Sequence, residues 1–278
     1  VIRPVAVSES IERFFARTPT LPPATHTESY ALGSRDVLLV EPATPYDEER
    51  RDWLAWARGL AGRGRSVLAI VATHHHPDHV GGAEFLAREL GVPLWAHPRA
   101  RSFGVTVDRD LVDGDRLTLA GPAPEEWTVL HTPGHASDHV CLFEPTTRTL
   151  VVGDMVASVG TILVAPGDGD MAEYLRQLER LLKLDAKLAL PAHGDPILDP
   201  PKLLRAYLVH RAMREAWIER SVVQHPDSTL EALVKIAYAD TPVEVHPIAQ
   251  LSLAAHLEKL VAEGRVSMID GRFRSTEG

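Results

Sequence analysis

Between residues 37 and 191, short apolar runs alternate with polar turns and amphipathic stretches, the pattern of a layered α/β domain. Strands are predicted over 37–40, 67–71, 93–96, 128–130, 140–143, 149–152 and 187–190. These runs are short and rich in Val, Ile and Leu, as strands buried on both faces tend to be. Helices are predicted over 47–60, 81–90 and 171–182. In the last of these Leu175, Leu178, Leu181 and Leu182 recur at helical spacing, so one stripe would cover a sheet face.

Residues 192–201 hold three prolines and a glycine, which reads as the exit from one domain and the entrance to another. The expected division is a catalytic domain over 1–200 and a smaller domain over 201–278. The second domain begins with a long helix, 202–222, followed by helices at 229–238 and 247–263. A closing segment, 265–273, turns at Asp270-Gly271. Helix, helix, helix and β-hairpin is a winged-helix order.

At 278 residues and 45 % hydrophobic the chain can bury a core large enough for one domain with an appendage. Its net charge of −9 argues against a general nucleic-acid or anionic-membrane binder, whose surface needs concentrated Lys and Arg. The acidity is local. From Pro201 onward ten Lys and Arg face ten Asp and Glu, and subtraction from 29 and 38 leaves 19 against 28 for residues 1–200. No run approaches the roughly 18 apolar residues of a membrane span. The single cysteine, Cys141, excludes a disulfide framework and a cysteine-based zinc site, and a reducing cytoplasm is the expected compartment.

The sharpest chemical signal is Thr73-His74-His75-His76-Pro77-Asp78-His79, directly after the apolar run 68–71. In an extended loop side chains two apart can point the same way, so His74 and His76 can grip one metal ion. Asp78 and His79 fall where the chain turns into a helix and can face a neighbouring ion. His75 fits neither position. Imidazole and carboxylate suit zinc, iron and manganese, but this cluster leaves each ion short of ligands. Three other predicted strands run into ligand-type residues: 128–130 into His131 and then Pro133-Gly134-His135, 149–152 into Gly153-Asp154, and 187–190 into Ala192-His193. Loops past strand ends are where α/β proteins build sites.

Taken in order, these residues resemble the metallo-β-lactamase superfamily from about residue 27 to 194. The resemblance implies an αββα sandwich. It implies two divalent ions per chain, Zn2+ with Mn2+ or Fe2+ as alternatives. One would sit on His74, His76 and His135, the other on Asp78, His79 and His193, with Asp154 bridging. The zinc β-lactamases of the best-known classes have Cys or Ser where Asp154 stands, so the chain is more similar to the broader hydrolase branch. His131 to Val140, Gly153-Asp154-Met155 and the run from His210 to Leu260 are similar to the β-lactamase-like protein 2 group, which carries a winged-helix appendage. One departure is early: many members run a strand into Asp-Thr-Gly, whereas Leu39-Val40 here leads to Glu41-Pro42-Ala43. Glu41 stands in for the acidic group on a differently shaped loop.

Two divalent ions about 3.5 to 4 Å apart would share a water whose pKa falls towards about 7, supplying hydroxide without a Ser or Cys nucleophile. Asp78 is placed to orient that water and pass on its proton. Asp154 and His139 complete the expected catalytic set, His139 either by hydrogen-bonding a metal ligand or by reaching the substrate. His97 and His131 read as packing or outer residues, and Cys141 as a core thiol. His210, Arg211 and Arg214 on the long helix read as a solvated face or interdomain salt bridge, or as a patch receiving phosphate or carboxylate. The leading expectation is hydrolysis of a small acyl substrate, a thioester, ester or lactone. Cleavage of single-stranded RNA is the runner-up, disfavoured by the lack of a basic, aromatic-rich stripe. A third reading, a winged-helix DNA- or protein-binding sensor, suffers from few Arg, Lys, Asn or Gln residues on the helices at 229–238 and 247–263. The second domain is expected to wall the cleft or to form a homodimer interface.

Overall fold

The computed structural model describes residues 4–276. The chain divides into two compact units. The first comprises the chain up to Thr132 with Asp138–Thr161 and Leu184–Pro200; the second comprises Pro133–Ser137, Ile162–Lys183 and the chain from Pro201 onward.

The first unit is built on two sheets. Strands β1 (Val5–Ala6), β2 (Ile11–Arg17), β3 (His26–Leu32), β4 (Asp36–Val40), β5 (Ser66–Val71), β6 (Leu94–Ala96) and β7 (Arg109–Asp110) form one sheet in sequence order. The second sheet contains β8 (Arg116–Leu119), β9 (Glu125–His131), β10 (Val140–Glu144), β11 (Thr149–Gly153) and β12 (Leu188–Pro191), ordered β12-β11-β10-β9-β8. The inward residues of both meet in one core: Tyr30, Leu38, Val40, Ala69 and Val71 from the first sheet, Trp127, Val129, Leu142, Val151 and Leu190 from the second. The other face of the first sheet is covered by helix α1 (Asp47–Ala61) and helix α3 (Ala83–Leu90), which contribute Trp53, Trp56, Leu60 and Leu86 to a second core.

Helix α1 starts where three acidic residues, Asp47, Glu48 and Glu49, occupy the first turn, and it carries Arg58 in the last, an arrangement that complements the helix dipole. The helix predicted over 81–90 begins two residues later, as α3. A short turn, α2 (Pro77–Val80), precedes α3, and Gly81 and Gly82 part them because a Cβ on either would meet backbone carbonyl oxygens within 3.0 Å. Strands β2 and β3 were not expected from the pattern. β3 reads His-Thr-Glu-Ser-Tyr-Ala-Leu and is buried from Thr27 onward; its polar groups are accommodated by pairing, Thr27 with Thr18 at 2.8 Å and Ser29 with the Trp53 indole at 2.9 Å.

The second unit contains α4 (Met171–Leu182), α5 (Pro200–Gln224), α6 (Leu230–Ala237) and α7 (His246–Ala262), with β13 (Ser228–Thr229), β14 (Val266–Ile269) and β15 (Arg272–Ser275). Helices α5 to α7 lie close to the predicted spans. β14 and β15 form the expected hairpin through Asp270 and Gly271, both at positive φ (49° and 72°), the backbone that a two-residue hairpin turn requires. β13 adds a third strand. Ile218, Val222, Leu233, Leu253, Leu257 and Leu260 form this unit's apolar core. No helix of the described residues is long and apolar enough to cross a membrane.

Candidate metal centre

The strand ends of the first unit deliver the candidate ligands. β5 ends at Val71, and Thr73 to His79 follow as a loop and the turn α2. His76 is the extended residue before that turn, with Pro77 opening it, so the chain turns there and brings the His79 ring back to 3.9 Å from the His74 ring. β11 supplies Asp154 and β12 supplies His193.

Four side chains from these loops face one another. His79 Nε2 lies 3.8 Å from Asp78 Oδ2 and 3.6 Å from Asp154 Oδ2, and His193 Nε2 lies 3.5 Å from Asp78 Oδ2 and 3.4 Å from Asp154 Oδ1. Such separations are long for hydrogen bonds. They suit donors arranged tetrahedrally about an ion with bonds of about 2.0 to 2.2 Å. His79 is fully buried, yet neither ring nitrogen makes a well-aligned hydrogen bond, which buried polar groups rarely tolerate without a missing partner. The donors of Asp78, His79 and His193 fall within 4.8 Å of one another, as do those of His74, His79 and Asp154. The residues therefore fit a divalent cation.

The opposite ring nitrogens are tied to the protein. Thr73 Oγ1 donates to Glu41 Oε1 at 2.5 Å, so it must accept from His74 Nδ1 at 3.0 Å, leaving His74 Nε2 free of a proton. His79 Nδ1 lies 3.1 Å from the same Glu41 carboxylate oxygen, and His193 Nδ1 donates to the His26 carbonyl at 3.1 Å. Orienting partners of this kind set the tautomer and aim of metal-binding imidazoles. Glu41, 1 % exposed and at φ 63°, pays for its left-handed backbone with this double contact, since non-glycine residues there are strained. His76 differs: its Nδ1 lies 2.9 Å from His74 Nε2.

Electrostatics follow from two carboxylates and two imidazoles crowded out of water. Burial opposes the charge on each, but their mutual attraction prevails. Asp78 and Asp154 are held well below the ordinary carboxylate range. His79 is pushed up by Glu41, Asp154 and Asp78, and His193, chiefly through Asp154, is pushed up to about 10.

His139 is fully buried, accepts from the Asp154 backbone N–H at Nε2 (3.0 Å) and donates from Nδ1 to Thr132 Oγ1 (2.8 Å). Of the two roles open to it from sequence, this geometry is that of a support for Asp154; the ring does not reach out to a substrate. The contact depends on Gly153, at φ 48°, where a Cβ would stand 2.5 Å from His139 Nε2. His75 turns away, its Nδ1 donating to Asp138 Oδ1 at 2.8 Å and its ring stacking on Phe103 at 3.5 Å. His97 and His131 stack on each other at 4.0 Å, and burial, reinforced by His131, pushes His97 down to about 4.

In the second unit the buried His135 lies on the loop Pro133–Ser137, its Nδ1 donating to the Leu163 carbonyl at 2.7 Å, which makes Nε2 the unprotonated nitrogen. On α5, His210 is exposed while Arg211 and Arg214 are buried. Arg214 forks onto Asp240 at 3.0 and 3.1 Å and donates to the Ala237 carbonyl. These two arginines are therefore engaged within their unit and do not form an open anion patch. Glu41 as the orienting carboxylate and Arg211 as a buried cation were not recognisable from spacing; the unusual Glu-Pro-Ala after β4 was the one signal for the former.

Residues 23–193 match the metallo-beta-lactamase superfamily, and residues 229–274 match the beta-lactamase associated winged helix domain. The chain belongs to that superfamily, whose members are in general hydrolases. It is 30 % identical to the beta-lactamase-like protein 2 homolog of Drosophila melanogaster, over 94 % of this chain and 90 % of that one. It is 28 % identical to the Caenorhabditis elegans protein of the same name, over 94 % and 87 %. Among solved structures, a beta-lactamase domain protein from Burkholderia ambifaria superposes with a TM-score of 0.84 at 22 % identity, covering 98 % of this chain and 93 % of that one, which shows a shared fold.

Proposed function

We propose that the protein is a dinuclear metal-dependent hydrolase of small acyl substrates, a thioester, ester or lactone. The observation that carries this reading is the donor spacing of 3.4 to 3.8 Å among Asp78, His79, Asp154 and His193, with the far nitrogens of His74 and His193 already anchored. In this reading His74, His76 and His135 hold one ion, Asp78, His79 and His193 hold the other, and Asp154 serves both. Support for the bridging role is that a donor of Asp154 lies within 4.8 Å of donors of both His74 and His79, which this reading gives to different ions. Zinc suits the donor set, and manganese or iron(II) accept the same ligands. When bound, such ions supply an activated water near neutral pH and polarise the scissile group.

The protein's own residues then divide the work. Asp78, with its side chain 16 % exposed against 0 to 9 % for its neighbours, is the carboxylate that reaches the solvent side, where it orients the attacking water and accepts its proton. Glu41 and Thr73 hold the His74 and His79 rings. His139 holds the backbone of Asp154 and touches no substrate. An acyl substrate is favoured over a polyphosphate because three basic side chains of the second unit are engaged by local partners: Lys259 by Glu215 and Glu263, Arg265 by Glu215 and Glu219, Arg274 by Asp227. A phosphate-reading surface needs such groups free.

The test is a scan of acyl esters, thioesters and lactones beside end-labelled single-stranded RNA, with zinc, manganese and iron(II) supplied separately. Metal-dependent acyl hydrolysis is the expected result. Cleavage of RNA alone overturns the substrate class.

A further inference from the structure

The loop that carries His135 packs into the same compact unit as the C-terminal helices. Four contacts within that unit hold it. His135 Nδ1 donates to the Leu163 carbonyl at 2.7 Å, the Asp170 N–H donates to the Gly134 carbonyl at 2.8 Å, and the Ser137 N–H donates to Asp168 Oδ2 at 2.9 Å. Gly134, at φ 134°, lies so close to Tyr174 that a Cβ would come within 2.4 Å of its Cα. The loop thus takes its position from the segment between Ile162 and Tyr174.

That segment is in turn held by one cation of α5. Arg211 donates through Nη2 to the Ile162 carbonyl, places its guanidinium 5.4 Å from the centre of the Tyr174 ring, and reaches Ser252 Oγ of α7 at 3.4 Å. It is 3 % exposed. A guanidinium is costly to bury and is retained where its planar fork fixes several groups at once. Its two anchors bracket the segment: Ile162 is bonded directly to Leu163, which receives the His135 ring, and Tyr174 is the surface on which Gly134 rests.

We propose that Arg211 is a positioning residue for His135. By fixing the Ile162-Leu163 peptides, Arg211 sets the direction of the carbonyl that receives the Nδ1 proton, and through it the aim of Nε2. This rests on the reading of His135 as a metal ligand given above.

The experiment uses the full chain and two probes, zinc and cobalt(II). Zinc affinities are measured by competition with a chromophoric chelator, and the cobalt protein by its visible absorption. R211M should weaken one of the two ions by about 10- to 100-fold, the usual cost of losing an outer-shell partner, and alter the cobalt spectrum. R211K, with an ammonium in place of the fork, should fall between R211M and the parent. V222A, which loosens the apolar core of the same unit, should lower thermal stability while leaving affinity and spectrum unchanged. Parent-like affinities and spectrum in R211M, or in R211K should R211M not fold, overturn the proposal, as would a matching loss in V222A. H135A separates the two readings: if it binds both ions as the parent does, the ligand assignment itself fails, and if it loses one while the Arg211 variants lose nothing, only the positioning role fails.

Discussion

Charged side chains are buried in two regions of this protein, to opposite ends. At the strand ends of the first unit, Asp78, His79, Asp154 and His193 face one another across 3.4 to 3.8 Å, and neither ring nitrogen of His79 makes an aligned hydrogen bond. Between α5, α7 and β14 of the second unit, Glu215 is closed upon by Lys259 at 2.8 Å and Arg265 at 2.9 Å, with His256 at 3.4 Å. In the second network Glu215 is paired by all three neighbours, and only Nε2 of His256 is left over; in the first, the donors stand apart at a spacing that fits a cation. Burial of charge therefore points to a site here where every donor of the cluster stands off from its neighbours, whereas in the structural network the lysine and arginine have closed to 2.8 and 2.9 Å.

The sharpest way to break this comparison is Asp154→Asn. It should reduce bound metal from two ions towards one and lower acyl turnover by more than the roughly 100-fold typical of an outer-shell loss. Elemental analysis and initial rates check it, and two ions with full activity would end the reading. Next comes Glu41→Gln, which removes the charge behind His79 and the acceptor of Thr73. A fall in zinc affinity of about 10- to 100-fold is expected, measured by chelator competition with the fold checked by circular dichroism.

Glu215→Gln should behave in the contrary manner, costing about 2 to 3 kcal/mol of stability, as for hydrogen bonds to a charged group, while metal content stays at the parental value. The same residue predicts a pH response. Burial would raise its pKa, but His256, Lys259 and Arg265 outweigh burial and hold it at about 2. A depressed pKa contributes stability that is complete above the unfolded value near 4.5 and is lost as pH falls towards 2. Urea midpoints should drop over that window in the parent and drop less in the variant.

His193 gives the opposite sign in metal-stripped protein. Raised to about 10 from 6.5, it contributes stability that is complete below about 6.5 and lost as pH rises to about 10; saturating zinc should remove that alkaline slope in thermal melts. The smallest effect is expected of Arg274→Ala. It breaks an ion pair with Asp227 whose side chains are 58 % and 51 % exposed, worth at most about 1 kcal/mol. A larger loss of stability would mean that surface pairs matter more in the second unit than the contrast allows.

Much of the architecture was legible because local pattern and tertiary role coincided. β4, β5, β10 and β11 are buried apolar runs, and the spans of α1, α4 and α7 depart from prediction by a residue or so. β3 escaped notice because its buried polar groups are compensated by Thr18 and Trp53, distant in sequence, and no periodicity registers such pairing. The break between α2 and α3 was hidden for a similar reason: Gly81 and Gly82 are required by carbonyls of Pro42, Ala43, Thr44 and Pro77.

The family, the two-sheet fold and the strand-end residues able to bind metal were determined by the sequence itself, because ligand type and spacing after a strand are local properties of the chain. What only the tertiary structure decided was how those residues are aimed. Glu41 came to stand behind His74 and His79, His139 behind Asp154, and Leu163, held beside Arg211, behind His135. Each of these contacts joins segments far apart in the chain, or depends on a backbone twist such as that of Gly153, and the direction of a hydrogen bond exists only once the segments that share it have been brought together.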